Sequence, residues 1–180
     1  MARLSLLAAF AVALLAGACT DTGTVSYVNV DSSYDPTQYA RLPYTGPLYV
    51  EVSGNPFAIP SEQMAKVVYD SIAPSDAIVG NGQGPRLHFA FGPDATNYNL
   101  ACSAAGTSGR INGTITMVAA LCGGREHALT YLSGSIDGVT GPDDPRFRAF
   151  LRQATVQLFP TQTDESRERQ HELLCVFPSC

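Results

Sequence analysis

The chain has no tryptophan, a single lysine at Lys66 and only three histidines in 180 residues. It also has no G-x-S-x-G, no H-E-x-x-H and no phosphate-loop signature. Those absences remove the commonest motif-based readings as a serine hydrolase, zinc peptidase or nucleotide hydrolase. None of its five cysteines forms a C-x-x-C, so neither a thioredoxin-like redox pair nor a zinc-binding knuckle is written in the sequence. Nor is there an apolar run of roughly 20 residues, the length a helix needs to cross a bilayer core. Basic residues are scarce, 11 Lys and Arg against 16 Asp and Glu, and the net charge is −5. Such a surface repels phosphate backbones, and no basic stripe offsets it, so nucleic acid is not an expected partner.

What is present begins at the first residues. Arg3 supplies a short positive start, Leu4 to Leu15 is apolar apart from Ser5, and Ala16-Gly17-Ala18 places small residues ahead of Cys19. This is the pattern of an export leader with its cleavage point, and Ala16-Gly17-Ala18 also satisfies the A-x-A rule of ordinary signal cleavage. At Ala16-Gly17-Ala18-Cys19 the chain resembles the lipobox of bacterial lipoproteins, in which small residues precede the cysteine that receives the lipid. That family favours Leu three places before the cysteine, where this chain has Ala16 and carries Leu15 one place earlier. The resemblance implies a palmitate-type lipid on Cys19 and attachment to the membrane through it. In that family an Asp directly after the cysteine signals retention in the inner membrane. Thr20 stands there instead, so the resemblance implies the periplasmic face of the outer membrane. The expected organisation is a signal peptide over 1–18, a lipid-anchored linker over 19–46 and a globular domain over 47–180.

Removal of the leader leaves 162 residues, enough for one domain with a real core. Beyond Cys19, the cysteines are Cys102, Cys122, Cys175 and Cys180, an even number in an exported chain, and disulfides are the natural use for them. Four cysteines allow three pairings, and closeness in the chain favours Cys102 with Cys122 and Cys175 with Cys180. Neither a metal nor a cofactor is called for.

Along the chain, Gly and Pro punctuate residues 20–46, where Val25 to Val30 offers at most a short extended piece. Leu48 to Ser53 alternates as a half-buried strand, and a helix opened by Pro60 places Met64, Val67, Val68 and Ile72 on one face until Pro74. Gly80 to Pro85 has the spacing G-x-G-x-G-P ahead of a strand, which makes it a plain loop and not a phosphate cradle. Arg86 to Phe91 alternates with Leu87, Phe89 and Phe91 inward. Gly113 to Cys122 and His127 to Ile136 read as a hairpin turned at Gly123-Gly124. Asp144 as cap, Pro145 in the first turn, and Phe147, Phe150, Leu151, Ala154 and Leu158 at helical spacing specify a second amphipathic helix ending before Pro160. The order of elements predicts an α+β domain, a largely antiparallel sheet with two helices packed on one face. In element order alone it resembles the compact periplasmic domains carried by many small bacterial lipoproteins.

Candidate chemistry is sparse. His88 and His127 both fall on predicted strands and would form a metal site if they met with Asp137 or Glu126, although solvent-facing strand histidines are the commoner arrangement. Asp143 with Asp144 would be a carboxylate pair for acid and base work, although capping explains them more simply. The reading is therefore a non-enzymatic envelope lipoprotein, a periplasmic binding or assembly module with an envelope protein as partner. The alternative is an envelope hydrolase or metal-dependent enzyme whose site has no recognisable motif.

Overall fold

The structure, a computed structural model, describes residues 23–42, 49–72, 85–92, 101–103, 113–124 and 127–162. Five strands, β1 (Thr24–Val30), β2 (Tyr49–Ser53), β3 (Arg86–Phe91), β4 (Ile115–Cys122) and β5 (Ala128–Ile136), form one sheet in the order β1-β5-β4-β3-β2. Only β2 and β3 run parallel, and every other neighbour pair is antiparallel. Parallel neighbours need a crossover, and helix α2 (Ser61–Ile72) lies on the connection between them. The remaining helices are the one-turn α1 (Pro36–Tyr39) and α3 (Pro145–Leu158). Helices α2 and α3 pack on each other and on the sheet, so the fold is α+β with a largely antiparallel sheet, as the element order predicts.

The amphipathic patterns explain the core. Leu87, Phe89 and Phe91 of β3 and Ile115, Met117, Ala119 and Leu121 of β4 face the helices. Met64, Val67 and Val68 of α2 meet them, as do Phe147, Phe150, Leu151, Ala154 and Leu158 of α3. The stripe expected on α3 is buried in full. On α2, Ile72 is only half-buried, and Ser71 is buried in its place with its hydroxyl donating to the Val67 carbonyl at 2.6 Å. Phe147 is edge-on to Phe57 at 5.0 Å between ring centroids, which ties the loop before α2 to α3.

Residues 19–46 are not simply a linker. Thr24–Val30 is an edge strand paired with β5 from Thr24 opposite Ser135 to Val30 opposite Thr130. A bulge between Val25 and Tyr27 shifts the register, so Val25, Val28 and Val30 oppose Gly134, Leu132 and Thr130. That inserted residue breaks the period-two pattern by which a strand is recognised. Beyond β1, Asp35 caps α1 by accepting from the Thr37 amide at 2.8 Å. Tyr34 is buried, with its hydroxyl donating to the Pro160 carbonyl at 3.0 Å, and burial pushes its phenol up to about 12. The folded domain therefore starts at least as early as Gly23 and not at residue 47.

A second bulge explains β5. Leu121 opposes Thr130 while Cys122 opposes Ala128, which leaves Leu129 as the extra residue. Leu129 and Thr130 are consequently both buried, and Thr130 meets its cost by donating its hydroxyl to the Leu158 carbonyl at the end of α3, 2.6 Å away.

Candidate functional site

The sheet face away from the helices is not solvent-exposed throughout. Ala90, Val118, Ala120 and Cys122 make a second small apolar cluster, covered by Ala101 and Cys102. Sequence alternation puts His88 on this face, where an uncovered sheet would leave it wet. The structure corrects that expectation, because His88 is 2% exposed beneath the 101–103 turn.

Three links hold this turn. Cys102 is bonded to Cys122 on β4, the pairing favoured by chain proximity. The Arg86 guanidinium donates to the Cys102 carbonyl and also meets the Glu51 carboxylate at 2.8 Å. His88 Nδ1 lies 2.7 Å from the Ala101 carbonyl, and its Nε2 lies 3.2 Å from the Ser53 hydroxyl. A carbonyl only accepts, so Nδ1 donates to Ala101, while Nε2 meets the Ser53 hydroxyl. Both ring nitrogens are thereby engaged, and the imidazole works as a strut between strand and turn. Ser53 and Ala101 are not legible as its partners because they lie 35 and 13 positions from His88 in the chain, and only the fold brings them together.

His127 does not meet His88. It lies just before β5, exposed, with Nε2 2.9 Å from Ser33 Oγ and 3.8 Å from Asp31 Oδ1. The trio has the residue types of a serine-nucleophile triad but not its wiring. Ser33 donates its hydroxyl hydrogen to Asp31 at 2.6 Å, so His127 must donate to Ser33 and is not placed to take its proton. The hydroxyl and backbone amide of Ser33 hold the Asp31 carboxyl below the usual carboxylate range, with the nearby His127 adding to the effect. Asp137 accepts from Thr114 at the opposite end of the sheet, far from either histidine. Among the described residues no group of three His, Cys, Asp or Glu is arranged to hold a metal ion. Glu126, Cys19, Cys175, Cys180 and the glycine run from 80 to 84 lie outside the described residues.

Asp143 and Asp144 have separate duties. Asp143 pairs with Arg148 at 2.7 Å in the open. Asp144 caps α3, accepting from the Arg146 amide at 2.9 Å and from its guanidinium. The Arg146 side chain is the largest of the effects that hold the Asp144 carboxyl at about 2, against a smaller opposing push from burial. A carboxyl lowered by folding stabilises above its unfolded value near 4, and this contribution fades as pH falls through about 2. Asp144→Ala is therefore expected to cost about 1 kcal/mol at neutral pH. In urea melts the gap from the parent should narrow steadily as the pH approaches 2, and a gap independent of pH would show that Asp144 is not acting as a charged cap.

No family model matches this sequence, and no curated protein matches it. Among solved structures the fold is similar to that of PelC from Paraburkholderia phytofirmans, a dodecamer. The match has 11% sequence identity and a TM-score of 0.45, and it covers 78% of this chain and 99% of that one.

Proposed function

We propose that the protein is a lipid-anchored, non-enzymatic component of the cell envelope, a binding or assembly module held on the periplasmic face of the outer membrane. The observation that carries this reading is the short apolar leader ending at Ala16-Gly17-Ala18-Cys19. The side chains of the domain are in keeping with it, since the described histidines serve as a strut and a surface link. Both edges of the sheet also offer a partner something to hold. Among the described residues no strand pairs with the outer side of β1 or β2, and these strands carry the exposed apolar side chains Val28 and Tyr49.

Cys19→Ser is the direct test. The variant should lose incorporation of labelled palmitate and move from the membrane to the soluble fraction, while its denaturant melt stays unchanged because Cys19 precedes β1. Retained lipid label with unchanged fractionation would place the anchor elsewhere. Crosslinking of the lipidated protein in its own envelope should then recover a defined partner through β1 or β2, and a turnover assay on envelope extracts that responds to His88 or His127 substitution would refute the non-enzymatic reading.

A further inference from the structure

We infer that the domain stands end-on against its membrane, with the Gly23 corner and the 137–144 loop in the phospholipid headgroup layer of the leaflet that holds the anchor. This rests on lipidation of Cys19, the reading proposed above. A long spacer would let the domain hang free, but only residues 20–22 separate Cys19 from Gly23. Four residue steps reach ~14 Å at full stretch.

The far end of this tether is fixed in the fold. Gly23 has φ +88°, and a Cβ placed on it would stand 2.8 Å from Phe150 Cδ2 and 2.9 Å from the Ser135 carbonyl oxygen. The backbone is thus pressed against the core at Gly23, and pairing with β5 starts at the next residue. Freeing more tether would mean unpairing β1.

The same end of the sheet collects what would meet the membrane. Thr24 opposes Ser135, Ile115 opposes Ile136, Thr114 bonds to Asp137, and the chain then loops through Gly138 and Gly141 to the start of α3. Asp31, Gly124 and His127 lie at the other end, separated from it by the nine residues of β5. At the usual rise, that strand is ~30 Å long, about twice the tether. The exposed large apolar side chains among the described residues, Val28, Tyr49 and Val156, all lie away from the 137–144 loop. The contact is therefore with polar headgroups, without an apolar wedge to enter the acyl region.

The test uses the full lipidated protein in its envelope, with a photoreactive benzophenone residue at position 141 or at position 124. A Cβ at either glycine has no heavy atom within 4 Å, so the probe's side chain starts in open space at both. Illumination should give phospholipid adducts from position 141 and none from position 124. Inserting a flexible Gly/Ser stretch of about 20 residues after Asp21, with a mean span of ~25 Å, should abolish the adduct at 141 while labelled lipid stays on Cys19. With Cys19 labelled, adducts at both positions, at neither, or at 141 despite the insertion would overturn the end-on seating. An unlabelled Cys19 would overturn the anchor itself, and the seating with it.

Discussion

Replacing Phe150 by Ala should destabilise the domain by about 3–5 kcal/mol, the upper range for removing a buried aromatic ring. The ring is fully buried on the inner face of α3 and lies in a hollow made by two glycines. A Cβ on Gly134 would stand 2.9 Å from Phe150 Cζ, and one on Gly23 would stand 2.8 Å from Cδ2. Neither neighbour has a side chain that can swing into the space left by the ring, so the cavity stays open and keeps its full cost. Arg148→Gln on the same helix should change stability by less than ~1 kcal/mol, because its partner Asp143 is exposed. Urea melts of the two variants check the assignment of faces. Equal and small effects would mean that α3 does not present Phe150 to the sheet.

The disulfide should have the next largest effect. Cys102 and Cys122 are 20 residues apart, and a closed loop of that size contributes ~3 kcal/mol by restricting the unfolded chain. The double variant Cys102→Ala with Cys122→Ala should lose about that much in denaturant melts, and the 101–103 turn should become the first region to exchange its amide hydrogens. Since this turn roofs His88, the imidazole should then become accessible to diethyl pyrocarbonate, which it is not in the parent. Peptide mapping without reduction should recover Cys102 joined to Cys122. Recovery of Cys102 with Cys175 or Cys180, or melts that do not respond to the double substitution, would refute the bridge.

Where local and tertiary preferences agree, the sequence is legible. Asp144, Pro145 and the Phe147 to Leu158 stripe specify α3 on their own, and β3 and β4 show clean alternation between turn residues. The extended piece read at Val25–Val30 is strand β1, but its place in the sheet is not legible, because one inserted residue near Ser26 moves its valines out of phase and its partner β5 pairs with it from 100 or more positions away. The bulge at Leu129 hides the inward turn of Thr130 in the same way. The reading of His88 failed for a different reason. Alternation tells which side of a sheet a residue takes, but not whether that side is covered, and the cover here is a three-residue turn with no pattern of its own. The surroundings of His127 were equally unreadable, since Ser33 is 94 positions from it in the chain.

The pairing of the first strand with the last also sets the order in which the domain can assemble. The β4–β5 hairpin closes a turn of a few residues and can form early, whereas docking β1 onto β5 must bring together segments 100 or more positions apart. Loop closure of that size adds an entropic barrier before any contact rewards it, and topologies of this kind fold on the slower side. In pulse-labelled hydrogen exchange, amides of β1 should gain protection after those of β3 and β4. Until then the outer edge of β5 is an unfilled slot with Gly134 and Leu132 bare. A β1 segment from another molecule competes for it with the chain's own only at high concentration, so the share of strand-exchanged dimers should rise with protein concentration during refolding.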